Sequence, residues 1–160
     1  MNKKLAFSTL VFGMLICLFF SSCNPGLVFS NQQSVPNEWK STDIIQFEFE
    51  NSDTLSNHQF LLRVRNNTDY AYQNIFFFVK LIQPDGIINI DTVECQLADY
   101  SGKWLGSGFG KIKEVSTVFG SDFILNRSGN YKVAIEHAMR VNKDEGLIGI
   151  EDIGIQIIKN

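Results

Sequence analysis

The stretch IQFEFE, residues 45–50, alternates apolar and polar side chains at every position. Since successive side chains of a β-strand point to opposite faces, this pattern predicts a strand with one buried face. The same period of two recurs in residues 60–65 and in residues 131–139. No later stretch shows the 3.6-residue period of an amphipathic helix. The chain therefore indicates an all-β protein.

Residues 75–82 differ from these strands because they are apolar on both faces, except at Lys80. Such a run is typical of a central strand covered on two sides. Turn residues separate the runs, for example Asn67 and Asp69 in one connection and Pro84-Asp85-Gly86 in another. Seven or eight strands with turns at this spacing predict an antiparallel β-sandwich of jelly-roll type.

Two of the predicted strands change phase part-way along. Ile88 and Ile90 have even numbers, whereas the next apolar residues, Val93, Cys95 and Leu97, have odd numbers. A one-residue slip would turn the core side chains to solvent, so we expect a bulge near Asp91 and Thr92. The last strand repeats the change: Ile148 and Ile150 are even and Ile153, Ile155 and Ile157 are odd, which predicts a break at Glu151 and Asp152.

The N-terminus carries a targeting segment. Two lysines precede a mostly apolar run over residues 5–20, and Ser21-Ser22-Cys23 closes it. The run is short for a membrane span, and its ending resembles a bacterial lipobox. We predict a lipoprotein signal peptide over residues 1–22, with acylated Cys23 as the first mature residue and the membrane anchor. Residues 23–38 read as a polar tether in which 27–29 could dock on the body, and residues 39–160 read as the β-sandwich domain.

Charge and cysteine content narrow the partners. Removing Lys3 and Lys4 with the signal reduces the 14 basic residues to 12 against 17 acidic ones, a formal charge of −5. No basic stripe remains for nucleic acid. Cys95 becomes the one free cysteine and cannot close an intrachain disulfide. Asn24 after the lipid cysteine favours the outer membrane, and the lack of an acidic cluster after it favours the side that faces the periplasm.

The stretch SGKWLGSGFGK, residues 101–111, is rich in glycine but fails the tests for a phosphate loop. Ile112 follows Gly110-Lys111 where Ser or Thr is needed, and Lys111 replaces the third glycine of a dinucleotide fingerprint. If the stretch is extended, Trp104 and the glycines at 106, 108 and 110 share one face. An aromatic ring could then cover the bare backbone. The functional alternative is a groove in which a sugar ring stacks on Trp104.

Catalytic chemistry has few candidates. His58 and His137 are the only histidines, and His137 alternates with core residues on its strand. Asp91, Glu94 and Asp99 offer carboxylates without a readable geometry, and Cys95 has the position of an inert core thiol. No metal-binding spacing occurs. We therefore predict no enzyme activity, no catalytic residues, no metal and no cofactor.

The strand over residues 72–82 indicates a contact surface. Its odd positions form a purely apolar face, but the even positions Tyr72, Phe76 and Phe78 are apolar too. In a two-layer sandwich only one face looks into the core. The other must be covered by the tether or form an apolar patch, and such patches mark binding partners. We predict that Tyr72, Phe76, Phe78 and Trp104 form the partner or ligand surface.

Several motifs together resemble one family. They are DTVECQLAD followed by GKWLGSGFG, then GNYKVAIEHAMR and GLIGIEDIGIQI, with LRVRN and the tyrosines at 70 and 72. These motifs resemble the GldH family of gliding-motility lipoproteins of Bacteroidetes. The resemblance implies a non-enzymatic envelope lipoprotein that contacts other proteins of the gliding machinery. The alternative is a jelly-roll lipoprotein that binds glycan.

Overall fold

The computed structural model describes residues 26–140 and 146–160. It contains no helix among these residues and eight strands. The strands are β1 (Leu27–Ser34), β2 (Ile45–Asn51), β3 (Asn57–Asn66), β4 (Asn74–Ile82), β5 (Ile88–Gln96), β6 (Lys113–Ile124), β7 (Gly129–His137) and β8 (Ile150–Lys159).

The strands form two four-stranded antiparallel sheets packed face to face. The first sheet has the order β1-β8-β3-β6 and the second the order β2-β7-β4-β5. Sequential strands therefore alternate between the sheets until β4 pairs with β5, and the chain then returns through β6, β7 and β8. This is the strand order of a jelly roll. The predicted β-sandwich is confirmed, and so is the number of strands.

The first strand corrects the predicted tether. Residues 27–34 form β1, which pairs along its length with β8, from Leu27 opposite Ile158 to Ser34 opposite Asp152. The prediction of a tether over residues 23–38 is therefore wrong for this stretch. The polar residues of the stretch look like a linker because β1 is an edge strand with most of its side chains in solvent. Residues 1–25 lie outside the described part of the chain.

The two predicted phase changes have opposite outcomes. In β8 the register shifts between the pairs Arg65–Asp152 and Asn66–Ile150, so Glu151 is the extra residue of a bulge. That prediction is confirmed. In β5 the pairing with β4 runs without a shift from Gln96 to Ile88, so the predicted bulge near Asp91 and Thr92 is wrong. Ile88 and Ile90 are exposed instead, because they lie on the outer face of the sheet.

The core lies between the sheets and follows the period-two faces of the strands. Odd positions of β2, β4 and β7 and even positions of β3 are buried, which explains the alternation in the sequence. Antiparallel pairing also sorts the connections into two groups. We call the end with the long connections 35–44, 67–73, 97–112 and 138–149 the upper end, and the end with the short connections 52–56, 83–87 and 125–128 the lower end.

Candidate protein-contact surface

The outer face of β4 carries two phenylalanines. Ile75, Phe77, Val79 and Leu81 point into the core, as predicted, so Phe76 and Phe78 must point away from it. Phe78 has 40% of its surface exposed and Phe76 is partly buried. The described strands all belong to the two sheets, and none forms a third layer over this face. The predicted cover by residues 27–29 is wrong because they lie at the edge of the other sheet.

A groove runs beside these two rings. Its volume is about 470 Å³, and it is lined by Phe76, Phe78, Thr92, Ala138, Met139 and Arg140. The end of β7 holds this wall in place, since the Ala138 amide donates to the Phe76 carbonyl at 2.7 Å. The Phe76 amide in turn donates to the sulfur of Met139 at 3.4 Å. The groove is thus lined by two aromatic rings, a flexible thioether and a cationic side chain.

The face continues below the groove with mixed chemistry. Lys80 forms an ion pair with Glu136 on the neighbouring strand, at 3.2 Å. Beyond this pair, Ile82 lies opposite exposed Ile88. A patch of apolar side chains with an ion pair within it resembles the composition of protein interfaces, in which apolar contacts give affinity and polar groups give orientation.

Tyr72 lies in the connection between β3 and β4, at the upper end. Its ring packs edge-on against Tyr70 with the centroids 5.6 Å apart, and 44% of the residue is exposed. Tyr70 is buried and donates to the Asn74 carbonyl at 2.9 Å. Burial raises the pKa of the Tyr70 hydroxyl above its ordinary value of 10.0, so it stays a neutral donor. Tyr70 is a structural residue that supports exposed Tyr72.

Trp104 does not lie on an open aromatic platform. The connection 97–112 is a loop whose backbone makes isolated bridges at Ala98–Trp104 and Ser107–Glu114. Trp104 is partly buried and packs against the core cluster. The nearby cavity, lined by Arg65, Ser107, Gly108, Phe109, Ile112 and Glu114, does not include it. The loop reaches Tyr72 through the backbone, since the Leu97 and Ala98 amides both donate to the Gln73 carbonyl.

The glycines of this loop serve close backbone approach and turns. A side chain at Gly106 would lie 2.7 Å from the Glu114 carbonyl oxygen, and one at Gly108 would strike the Ile112 carbonyl. Gly110 has φ near +64, a conformation that favours glycine. The hypothesis of an extended face covered by a ring is therefore wrong. Backbone at Ile112 and Glu114 fills the space that side chains at Gly108 and Gly106 would take, whereas Gly110 faces open space.

Two aromatic residues of the same loop, Tyr100 and Phe109, are almost fully exposed. Neither was predicted to belong to the contact surface. Tyr100 follows Asp99, whose carboxylate accepts from the Ser101 hydroxyl and amide and from the Lys103 amide, while the Gly102 amide returns to the Asp99 carbonyl. These bonds, the Ser101 hydroxyl first, lower the pKa of Asp99. Phe109 lies between two glycines with positive φ. Turn chemistry around an aromatic residue was the available signal for both.

The candidate catalytic residues are held apart by the fold. His137 is buried at the upper end with Nε2 3.1 Å from the Trp39 carbonyl, whereas buried His58 is the second residue of β3, at the lower end. Burial lowers the pKa of His137 below its ordinary value of 6.5. Cys95 is buried and accepts from the Thr117 hydroxyl at 3.1 Å, and burial raises the pKa of its thiol. This environment favours the inert, protonated thiol.

A second cavity opens between the sheets at the edge where β5 faces β6. Its volume is about 260 Å³, and its apolar lining includes Phe60, Phe119 and Phe123, with Asn89 and Asp91 beside them. Asp91 therefore lines a cavity rather than marking a bulge. Residues 26–140 and 146–160 contain no group of three His, Cys, Asp or Glu side chains placed to hold a metal ion. They also contain no helix that could cross a membrane.

The sequence of the folded domain matches a known family. A family model described as GldH lipoprotein matches residues 27–157, from the first residue of β1 to near the end of β8. The chain belongs to the GldH lipoprotein family. The resemblance predicted from the sequence motifs is thereby confirmed.

Relatives within the GldH family are similar over nearly their full length. A protein named gliding motility lipoprotein GldH homolog, from Christiangramia forsetii, is 36% identical over 159 residues, which covers 97% of both chains. Gliding motility lipoprotein GldH from Flavobacterium johnsoniae is 30% identical over 148 residues, 90% of this chain and 92% of its own. The chain is thus a gliding-motility-associated lipoprotein by family.

Among solved structures, a carbohydrate-binding module specific for non-crystalline cellulose aligns with a TM-score of 0.44 and 8% identity. The alignment covers 81% of this chain and 71% of that module. At this level of similarity, the module gives no argument about a ligand of this GldH family member. Cys23, the predicted lipid anchor, lies outside the described residues.

Proposed function

We propose that this protein is a non-enzymatic component of, or accessory to, the gliding-motility machinery, and that it acts through protein–protein contacts at the outer face of β4. The observation that carries the proposal is the pair Phe76 and Phe78. Both rings point away from the core, and Phe78 remains substantially exposed beside a groove. Family membership supplies the biological setting.

The proposed attachment is a lipid on Cys23 after removal of residues 1–22. A diacyl chain together with N-acylation meets the requirement of two hydrophobic signals for stable membrane binding. We propose the outer membrane, on the side that faces the periplasm. The folded domain then begins at β1 rather than at residue 39, because residues 27–34 are part of the first sheet.

The chemistry of the groove favours an envelope protein with an exposed apolar side chain as the partner. Aromatic residues and methionine are enriched in protein interfaces, and aromatic anchors often dominate the binding energy. Met139 supplies an unbranched side chain that adapts to the shape of what enters. Arg140 at the rim would favour an acidic or carbonyl-rich neighbour beside the apolar anchor.

The glycan alternative depends on an open tryptophan ring. Sugar rings stack on exposed aromatic faces, but Trp104 packs against the core cluster. Tyr100 and Phe109 are exposed on the same loop, yet an exposed aromatic ring also fits a protein partner. The packing of Trp104 therefore supports protein contact over sugar stacking.

The test replaces both rings with Phe76→Ser and Phe78→Ser in the native host. We expect an unchanged thermal unfolding midpoint, weaker crosslinking to envelope proteins, and loss of gliding. Val118→Ser is the matched control, because Val118 is an exposed apolar residue on a strand of the other sheet. This control should glide normally. Normal gliding and crosslinking by the double variant would refute the contact surface, and a collapsed unfolding midpoint would show that the rings are core.

A further inference from the structure

The chain joins the first sheet at the lower end, and its backbone is paired with β8 from the first described residues. The Lys159 amide donates to the Gly26 carbonyl at 2.7 Å, and Leu27 is already paired opposite Ile158. A side chain at Gly26 would lie 2.9 Å from the Lys159 carbonyl oxygen, so the backbones are closely packed there. From residue 26 onward the chain is fixed to the body of the domain.

This entry point sets the distance to the lipid. Three peptide units connect Cys23 to Gly26, and a fully extended chain of that length spans about 11 Å. Gly26 and the part of the lower end around it must therefore lie close to the surface of the membrane that holds the lipid. Neighbouring strands are about 4.8 Å apart and the two sheets about 10 Å apart, so the connections of the lower end lie within about 18 Å of Gly26.

The lower end presents aliphatic side chains to solvent. Leu55 in the connection 52–56 is 86% exposed, Ile87 in the connection 83–87 is 53% exposed, and Ile124 at the end of β6 is 48% exposed. Leu27, which begins β1, and Ile88, which begins β5, are also exposed. The five residues belong to strands and connections of both sheets, so they are spread over the lower end and are not confined to one edge of a sheet.

Two ion pairs lie among these residues. Lys159 contacts Asp53 at 2.6 Å, and Arg127 contacts Asp85 at 3.2 Å. The Lys159 ammonium and then the Ser56 hydroxyl lower the pKa of Asp53, so this pair stays ionised. These two closed ion pairs lower the charge that the aliphatic residues bring with them to a lipid surface.

We infer that the lower end rests on the lipid headgroups and that Leu55, Ile87 and Ile124 dip into the membrane interface. The inference depends on the proposed acylation of Cys23. Lipid is the fitting occupant because the gap that the linkage leaves is about as wide as a single α-helix, 10–12 Å. A protein partner of ordinary size has no room between the lower end and the membrane. Apolar side chains at such a surface add to the affinity of the acyl chains.

Such seating fixes the orientation of the domain. The strands stand on the membrane, and the upper end lies about 30 Å above it, since nine residues of β4 rise about 3.3 Å each. The outer face of β4 is then reachable from the side, and the loops with Tyr100 and Phe109 point away from the lipid. The membrane surface and the groove beside Phe76 and Phe78 do not compete, and Ile88 is the one residue named in both surfaces.

The test uses site-specific fluorescence on the full lipidated protein, reconstituted into vesicles of phosphatidylethanolamine with a minor share of phosphatidylglycerol. Leu55→Cys places an environment-sensitive dye at the lower end, and Phe109→Cys places the same dye at the upper end as the matched control. Both native side chains are highly exposed, and native Cys95 is buried and does not compete for label. Lipids with a spin label near the headgroup serve as the quencher.

We expect the dye at position 55 to shift to the blue and lose fluorescence to the spin-labelled lipid, while the dye at position 109 does neither. Equal quenching at both positions, or none at position 55 in protein that floats with the vesicles, overturns the seating of the lower end and leaves the anchor intact. Wild-type protein that fails to float, or Cys23→Ala protein that floats equally well, overturns the proposed anchor and the seating with it.

Discussion

The two ends of the sandwich differ in the length of their connections and in the apolar residues that they carry. The upper end has long connections with aromatic side chains, among them buried Trp39 and Tyr70 and exposed Tyr100 and Phe109. The lower end has short turns, and its exposed large apolar residues are all aliphatic, whereas the upper end exposes aliphatic and aromatic residues together. Close backbone packing at glycines occurs at the upper end, where Gly146 meets the Glu38 backbone and Gly149 meets Tyr70, and at the lower end where Gly26 meets Lys159. At the lower-end turn, Gly86 has open space around it.

The difference follows the chemistry of the proposed neighbours. Aromatic rings with polar atoms at their edges suit a protein surface, which offers both apolar pockets and hydrogen bonds. Aliphatic side chains in short turns suit a lipid surface, which offers only a graded apolar medium. The long connections of the upper end are held in shape by packing, to which buried Trp39 and closely packed Gly149 contribute.

The largest effect should come from Trp39→Ala. Trp39 is fully buried, its indole donates to the Asp43 carbonyl at 2.7 Å, and its ring packs edge-on against His137. Loss of such a ring costs about 3–5 kcal/mol of unfolding free energy. Denaturant unfolding of residues 26–160 measures it. The control Ile148→Ala, at an exposed site of the same end, should change stability by less than about 0.5 kcal/mol. Equal losses would show that the upper end lies outside the cooperative core.

A second comparison sets Gly149→Ala against Gly86→Ala. Both glycines have positive φ, +89 and +83, so each substitution carries a backbone strain of about 1–2 kcal/mol. At Gly149 the added methyl also strikes the Tyr70 amide nitrogen, which raises the expected loss to about 3 kcal/mol or more. Denaturant midpoints of the two variants measure the difference. If both lose the same stability, the upper end has more room than its backbone contacts indicate.

The two ends should also respond to acid in different pH ranges. His137 has a lowered pKa in the folded state, so the unfolded chain binds the proton more readily. The contribution of neutral His137 to the free energy of unfolding is complete above pH 6.5 and is lost as the pH falls below that value. Asp53 at the lower end also has a lowered pKa, but as an acid it loses its contribution only below 3.8.

Unfolding free energies measured at about pH 7.5 and about pH 5 separate the effect of His137 from that of Asp53, because Asp53 is ionised at both pH values. The variant His137→Gln should show a smaller decrease in stability between these two values than the wild type. An unchanged decrease would assign the acid sensitivity to other groups.

The smallest effect should follow Lys159→Met. The Lys159–Asp53 contact is short, but both side chains are substantially exposed, and water screens such pairs. We expect an unfolding midpoint close to that of the wild type at neutral pH and moderate salt. A large loss of stability would show that the ion pair helps to close the lower end. The same variant would then be expected to alter the seating on vesicles.

The sequence pattern predicted six of the strands and missed β1 and β6, in which no face is fully buried. In β2 and β7 the alternation is clean because every second residue enters the core. In β6 the pattern is blurred by register shifts opposite His58, Phe60 and Leu61 and by Asp122 with φ +55. As an edge strand, β1 buries few side chains. Periodicity reports burial, and edge strands have little of it.

The same limit explains the phase changes. The bulge at Glu151 was predictable because Ile150 and Ile153 on either side of it are both buried. In β5 the rule failed because Ile88 and Ile90 are apolar yet exposed. An apolar residue on the outside has no signature in a single sequence. Phe76 and Phe78 were identified only because β4 has apolar residues on both faces, and what covers them depends on where β1 lies.

The pairing of the first strand with the last gives the fold a mechanical property. If the lipid holds the chain below β1 and a partner holds the upper end, a pull between them runs parallel to the strands. The backbone bonds between β1 and β8, from Leu27 to Ser34, then carry the load in shear and must yield together rather than one after another. A strand attached at the opposite end would instead unzip pair by pair. The direction in which β1 enters the sheet would therefore resist a pull between the proposed anchor and the proposed partner.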